Sequence, residues 1–186
     1  MRSSYQRLAF GITGLALVGL AASAVHDHRL ANVLSKAPPE VLIERVKIPS
    51  IGVDAVIEPV ALTPDGAMAT PKGPHTVGWY SNGPHPGEEG SAVMAGHRGW
   101  KNGVPAVFDD LDKVRTGDEI IVTDSQGEER SFVVRETRRF ARDSIVPGVF
   151  TSIEGSHLNL ITCVGVWDKE LQSSEERLVV FADLVR

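Results

Sequence analysis

Leu158-Asn159-Leu160-Ile161-Thr162-Cys163-Val164-Gly165 is an apolar, β-forming run that ends on the only cysteine of the chain. A single cysteine forms no internal disulfide, so its thiol is either a small buried hydrophobe or a reactive group. β-formers leading to Thr-Cys, with glycine two positions on, place the sulfur at the end of a strand. Reactive groups are commonly carried there, because the strand holds them and the adjoining loop admits a substrate.

Outward from this run the chain reads as β-structure throughout. Its 18 Gly and 11 Pro supply many turns and leave little room for long helices. Upstream strands are expected at 41–49, 55–60 and 77–80, with Ile51 to Asp54 as a turn and Pro/Gly-rich loops at 62–74 and 81–90. Ser91 to Trp100 is a second apolar strand that stops on a polar side chain, His97, between Gly96 and Gly99, which permit close backbone approach and unusual dihedrals. A short helical turn at 108–114 precedes strands at 119–123 and 130–138, joined by a hairpin turn at Asp124-Ser125-Gln126-Gly127. Residues 139–157 read as irregular, Trp167-Asp168-Lys169 as loop, and 177–182 as the last strand. Seven or eight short strands with little helix predict an all-β closed barrel or sandwich.

The N-terminus has a different character. Arg2 and Arg7 precede Leu8 to Val25, an uncharged stretch of 18 residues, long enough to cross a bilayer at the short end of the usual range. The leading basic residues favour a cytoplasmic N-terminus with everything after residue 29 outside. Ala22-Ser23-Ala24 also has the small-x-small pattern of a signal-cleavage site, so residues 1–29 are an anchor or a secretory signal. Residues 30–40, ending in Ala37-Pro38-Pro39, form a linker, and 41–186 a single domain with room for a sizeable core. Beyond residue 40, Lys and Arg number 15 and Asp and Glu 22, a balance opposite to the positive footprint that nucleic acid requires.

Three side chains fit one chemistry: His97 at one strand end, Cys163 at another, and Arg177 opening the last strand. A thiol attacks a carbonyl as its thiolate, and a neighbouring histidine exchanges the protons. Arginine keeps its charge and donates hydrogen bonds where an oxyanion develops. Each also has a plain structural reading, and for Arg177 that is an ion pair with Glu175 or Glu176. Among the other histidines, His26, His28, His75 and His85 fall at the membrane boundary or in loops. His157 lies at the far end of the cysteine strand, about 20 Å from Cys163 at ~3.3 Å per residue, too far to serve as its base. No His/Cys/Asp/Glu cluster has metal-ligand spacing, so no metal or cofactor is expected.

Gly90-Ser91-Ala92-Val93-Met94-Ala95-Gly96-His97, Leu160-Ile161-Thr162-Cys163 and Arg177-Leu178-Val179-Val180-Phe181-Ala182 resemble the His, Thr-x-x-Cys-type and Arg motifs of sortases. These are membrane-anchored cysteine transpeptidases of Gram-positive cell envelopes. The resemblance runs from about Val41 to Val185, includes Gly78-Trp79-Tyr80 and Arg115 to Glu119, and is greatest for classes E and F, especially F. Two departures affect the class: Leu-Asn-Leu-Ile-Thr-Cys replaces the usual Thr-Leu-x-Thr-Cys, and His97-Arg98-Gly99 lacks the acidic residue many relatives carry after the histidine.

The resemblance implies an eight-stranded barrel with three roles. Cys163 attacks the Thr-Gly carbonyl of a Leu-Pro-x-Thr-Gly-like signal to give a thioester, His97 moves the protons, and Arg177 stabilises the oxyanion. Thr162 is expected to line the same substrate pocket. Implied partners are secreted proteins carrying a C-terminal sorting signal and, as acceptor, a peptidoglycan-precursor or pilin amine. The alternatives are an L,D-transpeptidase-like cell-wall enzyme, whose Ser-x-Gly-Cys pattern is absent, and a non-catalytic anchored barrel used for binding or assembly.

Overall fold

The computed structural model describes residues 42–170 and 173–186. The anchor and linker expected over 1–40 lie outside them; among the described residues no helix is long and apolar enough to cross a membrane. The chain divides between Glu40 and Val41, and the second unit, Val41–Arg186, carries the strands described next.

Eight strands close into a barrel: β1 (Ile43–Ile48), β2 (Val53–Val60), β3 (Val77–Tyr80), β4 (Gly90–Ala95), β5 (Glu119–Asp124), β6 (Glu129–Ala141), β7 (Ser156–Asp168) and β8 (Ser173–Leu184). Their order around the barrel is β1-β2-β3-β4-β7-β8-β6-β5. β2 with β3 and β4 with β7 are parallel pairs, and the other pairs are antiparallel. Each parallel pair requires a crossover, which the long loops at 61–76 and 96–118 and the β5–β6 hairpin provide.

Side-chain alternation sends every second residue inward. Val46, Ile48, Ile57, Ile120, Val122, Phe132, Leu158, Leu160, Val180 and Ala182 share one buried cluster, joined by Phe108, Leu111 and Val114 from the segment between β4 and β5. The 3₁₀ turn Leu111–Lys113 lies in that segment, where the sequence predicts a helical turn.

The outward face of β4, β7 and β8 is apolar too. Val93, Val179 and Phe181 form a second cluster with Val149, and Ile161, Phe140, Tyr80, Met68 and Val146 pack against it. The segment between β6 and β7 covers part of this face, and buried polar side chains hold it there. The Ser91 hydroxyl donates to the Gly148 carbonyl at 3.0 Å, and the Asn159 amide donates to the carbonyls of Gly148 at 3.2 Å and Val149 at 2.7 Å. Asn159, the polar interruption of the opening run, is therefore a strap for that loop.

Three strands are longer than the sequence predicts. β6 continues to Ala141, β7 starts at Ser156 and runs on past Cys163 to Asp168, and β8 begins at Ser173. The strand ends marked by Cys163 and Arg177 are thus positions within strands. What interrupts β7 is Gly165, with φ +85°, where the register with β8 shifts between Val164 and Trp167.

Candidate active site

The two ladders flanking β7 align the expected residues. In the antiparallel β7–β8 ladder Cys163 is paired with Arg177. In the parallel β4–β7 ladder Val93 is opposite Asn159 and Ala95 opposite Ile161, and the pairing runs on as the Gly96 N–H donates to the Ile161 carbonyl at 3.1 Å. His97 follows two residues after Ala95, as Cys163 follows two after Ile161. Neighbouring strands lie about 4.8 Å apart, and directly paired residues share a face. Cys163 and Arg177 therefore form one row across β7 and β8, on the face that carries Val93, Ile161, Val179 and Phe181, and His97 lies just past the end of β4 on the other edge of β7.

The backbone around His97 is built with little slack. A Cβ on Gly96 would lie 2.4 Å from the Phe108 ring, so only glycine lets the buried Phe108 close over the strand end. The Phe108 N–H in turn donates to the His97 carbonyl at 3.0 Å. From the other side of β7, the Thr162 hydroxyl donates to the Gly96 carbonyl at 2.8 Å. Gly99, with φ +68°, turns the chain so that its N–H donates to Asp109 Oδ1 at 2.6 Å, and Arg98 reaches Asp112 at 3.1 Å.

The His97 ring is half-buried. Its Nε2 is 2.8 Å from the Pro71 carbonyl, and it makes a T-shaped ring contact with Trp100 at a centroid distance of 4.6 Å. A carbonyl only accepts, so Nε2 carries the hydrogen and Nδ1 is left as the nitrogen that binds or releases a proton. Among the described residues Nδ1 makes no hydrogen bond.

The Arg177 guanidinium is bonded through Nη1 to the carbonyls of Ser174 and Glu176, both at 3.0 Å, and through Nη2 to the Ser173 hydroxyl at 2.8 Å. The ion pair with Glu175 or Glu176 weighed from the sequence does not form, since Glu176 supplies its backbone carbonyl only. These contacts use three of five donors and leave Nε–H and one Nη2–H. Cys163 is a free, half-buried thiol and lines a cleft of about 580 Å³ together with Arg98, Gly99, Asp109, Arg139, Val164, Gly165, Trp167 and Ser174.

Thr162 stands apart from this row. Its side chain is on the inward face of β7, only 2% exposed, and it fastens the His97 segment instead of facing the groove. His157 is also separate, near the start of β7, opposite Asp183. The Pro71 carbonyl, Asp109 and Arg139 escape sequence reasoning, since each reaches the site from a loop or strand with no motif around it. Asn159 had a signal, as the one polar residue facing outward within the apolar half of the cysteine strand.

Residues 46–185 match the Sortase domain family. The chain belongs to the sortase family. Sortases are cysteine transpeptidases, and Cys163 is the one cysteine this sortase has. Solved sortases share its fold. Sortase A from Corynebacterium diphtheriae is 25% identical with a TM-score of 0.60, over 78% of this chain and 61% of that one. Sortase C2 of Pilus Island 1 from Group B Streptococcus is 25% identical with a TM-score of 0.56, over 77% and 73%. A sortase D5 transpeptidase from Clostridium perfringens, at 23% identity, has a TM-score of 0.58 over 86% and 89%. Comparison with curated proteins gives no match.

Proposed function

We propose that this sortase cleaves a Leu-Pro-x-Thr-Gly-like sorting signal through a Cys163 thioester and transfers the acyl group to an amine of the cell envelope. The observation that supports this most is the pairing of Cys163 with Arg177 on β7 and β8, with His97 two residues past the end of the neighbouring β4. Cys163 passes its thiol proton to His97 Nδ1 and attacks the Thr-Gly carbonyl as the thiolate, and the remaining Arg177 donors stabilise the tetrahedral oxyanion. As the C–N bond breaks, His97 Nδ1 gives its proton to the departing glycine amine. The acceptor amine then attacks the thioester, its proton passes to His97, and the thiolate leaves, which restores the starting pair.

In this reading residues 1–29 anchor the enzyme with its catalytic domain outside a Gram-positive-type membrane, and its substrates are secreted proteins with C-terminal signals. The motif residues favour class E or F. The test is mass spectrometry of a sorting-peptide panel incubated with the full chain and triglycine. Cleavage and a triglycine adduct are expected, and Cys163→Ala should abolish both while leaving the circular dichroism spectrum intact. Absence of both products across the panel with wild-type protein overturns the proposal.

A further inference from the structure

Cys163 borders the cleft at the barrel rim, where Arg98, Asp109 and Arg139 surround Cys163, Gly165 and Trp167. The apolar cluster behind it on β4, β7 and β8 is buried. A double-displacement enzyme has two substrates to hold in turn, an acyl donor and an amine acceptor. Of the two, the amine acceptor is the one whose reacting group carries charge, and a charged cleft suits it.

The charges in the cleft specify what that acceptor carries. Beyond residue 40 the sequence has 22 acidic against 15 basic side chains, yet two of the three charged residues lining the cleft are arginines. Neither arginine is used up. Arg98 is bonded through one Nη2 contact to Asp112, and Arg139 is only loosely paired with Glu176, at 3.8 Å. Each has five donors, so several N–H groups on each are available to an incoming anion. Asp109 uses one oxygen, Oδ1, for the Gly99 N–H and keeps Oδ2 for a cation. A cleft offering two guanidinium groups and one carboxylate beside the nucleophile is complementary to a ligand with one ammonium and one carboxylate.

We infer that the rim cleft is the acceptor subsite and that it selects amines bearing a carboxylate within a few bonds, with Arg98 and Arg139 holding the carboxylate and Asp109 steering the amine. This rests on the sortase reading for its place in the reaction, but the binding it requires does not. In the transfer step the acceptor nitrogen bonds to the thioester carbonyl carbon, the C–S bond breaks, and the nitrogen's proton goes to His97. Asp109 and the two arginines position the acceptor and exchange no proton.

The probes are diglycine, which has a free carboxylate, and diglycinamide, which does not. In an NMR titration of the ¹⁵N-labelled full chain, diglycine should shift the amides of Gly99, Gly165 and Ser174 and bind about tenfold more tightly than diglycinamide, the equivalent of ~1.4 kcal/mol. The double variant Arg98→Ala/Arg139→Ala should bring that preference to about one, and Asp109→Asn should weaken both probes alike. Arg139→Gln, which loses only a loose ion pair, should reduce the preference several-fold and guards against misfolding of the double variant. Equal binding of the two probes, or a preference that survives both arginine variants, overturns the inference. With a sorting peptide added, the ratio of adduct to hydrolysed acid should favour diglycine by the same factor. Peptide cleavage without carboxylate preference removes this inference and leaves the sortase reading standing. Carboxylate-selective binding without cleavage of any peptide does the reverse.

Discussion

His97 and His157 sit at opposite ends of the same pair of strands, and their surroundings differ in one respect that separates fastening from chemistry. His157 has both ring nitrogens engaged: Nδ1 with Asp183 Oδ1 at 2.7 Å and Nε2 with the Glu154 carbonyl at 2.7 Å. Asp183 also accepts from Arg135 at 3.0 Å, so β6, β7, β8 and the loop before β7 are tied together there. His97 has only Nε2 engaged, and it follows the end of β4, the strand beside the one that carries the thiol. A histidine with no nitrogen to spare holds structure. One with a nitrogen left over, fixed in its tautomer by a carbonyl, is equipped to move protons.

Substitution should drive the two apart. His97→Ala is expected to lower kcat/KM for a sorting peptide by about 10²–10⁴-fold, the usual worth of a positioned acid–base group, with little change in Tm. His157→Ala should lower Tm and leave kcat/KM within a few-fold of wild type. Steady-state kinetics and thermal melts on both variants check this, and a His157 variant as inactive as the His97 variant at unchanged Tm would erase the distinction.

Arg177→Lys comes next, with turnover expected to fall about 10²-fold, since one ammonium cannot reproduce a fork that bonds three groups and still faces an oxyanion. Its melt should stay near wild type. Gly96→Ala sharpens the contrast from the backbone side. Its Cβ meets the Phe108 ring at 2.4 Å, so Phe108 or the strand end must move, at about 1–3 kcal/mol of stability. Because Phe108 also holds the His97 carbonyl, activity should fall along with Tm.

The smallest effect belongs to the β5–β6 hairpin, far along the sheet from the row. Asp124 is 4% exposed, and the Arg130 guanidinium holds its carboxyl below the usual range, helped by the N–H groups of Glu128 and Gln126. A carboxyl whose folded pKa is depressed adds stability above its unfolded pKa and loses it as pH falls through the folded value. Asp124→Asn should therefore lower Tm by a few degrees at pH 7, with the gap to wild type closing in acid and kcat/KM unaffected. A gap that stays constant with pH would show that the carboxylate charge is not what the hairpin uses.

The reading of β1, β2, β3, β4 and β5 from sequence comes within a few residues of the observed strands, because alternation and flanking turn residues are local signals. The longer strands were less legible. Residues 139–141 and 164–168 look like loop in the sequence, with charge in one and Gly165 in the other, but each lies along a neighbour that extends it: Arg139 and Phe140 along Leu178 and Arg177, and Trp167 along Ser174. Pairing with a partner strand overrode local composition. Thr162 was misleading for a related reason. Next to a reactive cysteine in sequence, it points the opposite way in a strand of period two, and so belongs to the core.

The sequence by itself determined an all-β fold of short strands, a lone thiol followed closely by glycine, a histidine between glycines and an arginine on the last strand, since all of these are carried by residue type and short-range pattern. Which strands carry them side by side was decided by tertiary structure alone. The antiparallel β7–β8 register pairs residues 163 and 177, the parallel β4–β7 ladder runs up to two residues before 97, and a register between distant strands is set by which faces the whole barrel buries. The same holds for the charged cleft, whose Arg98 and Asp109 come from the β4–β5 segment and Arg139 from β6, with no shared motif.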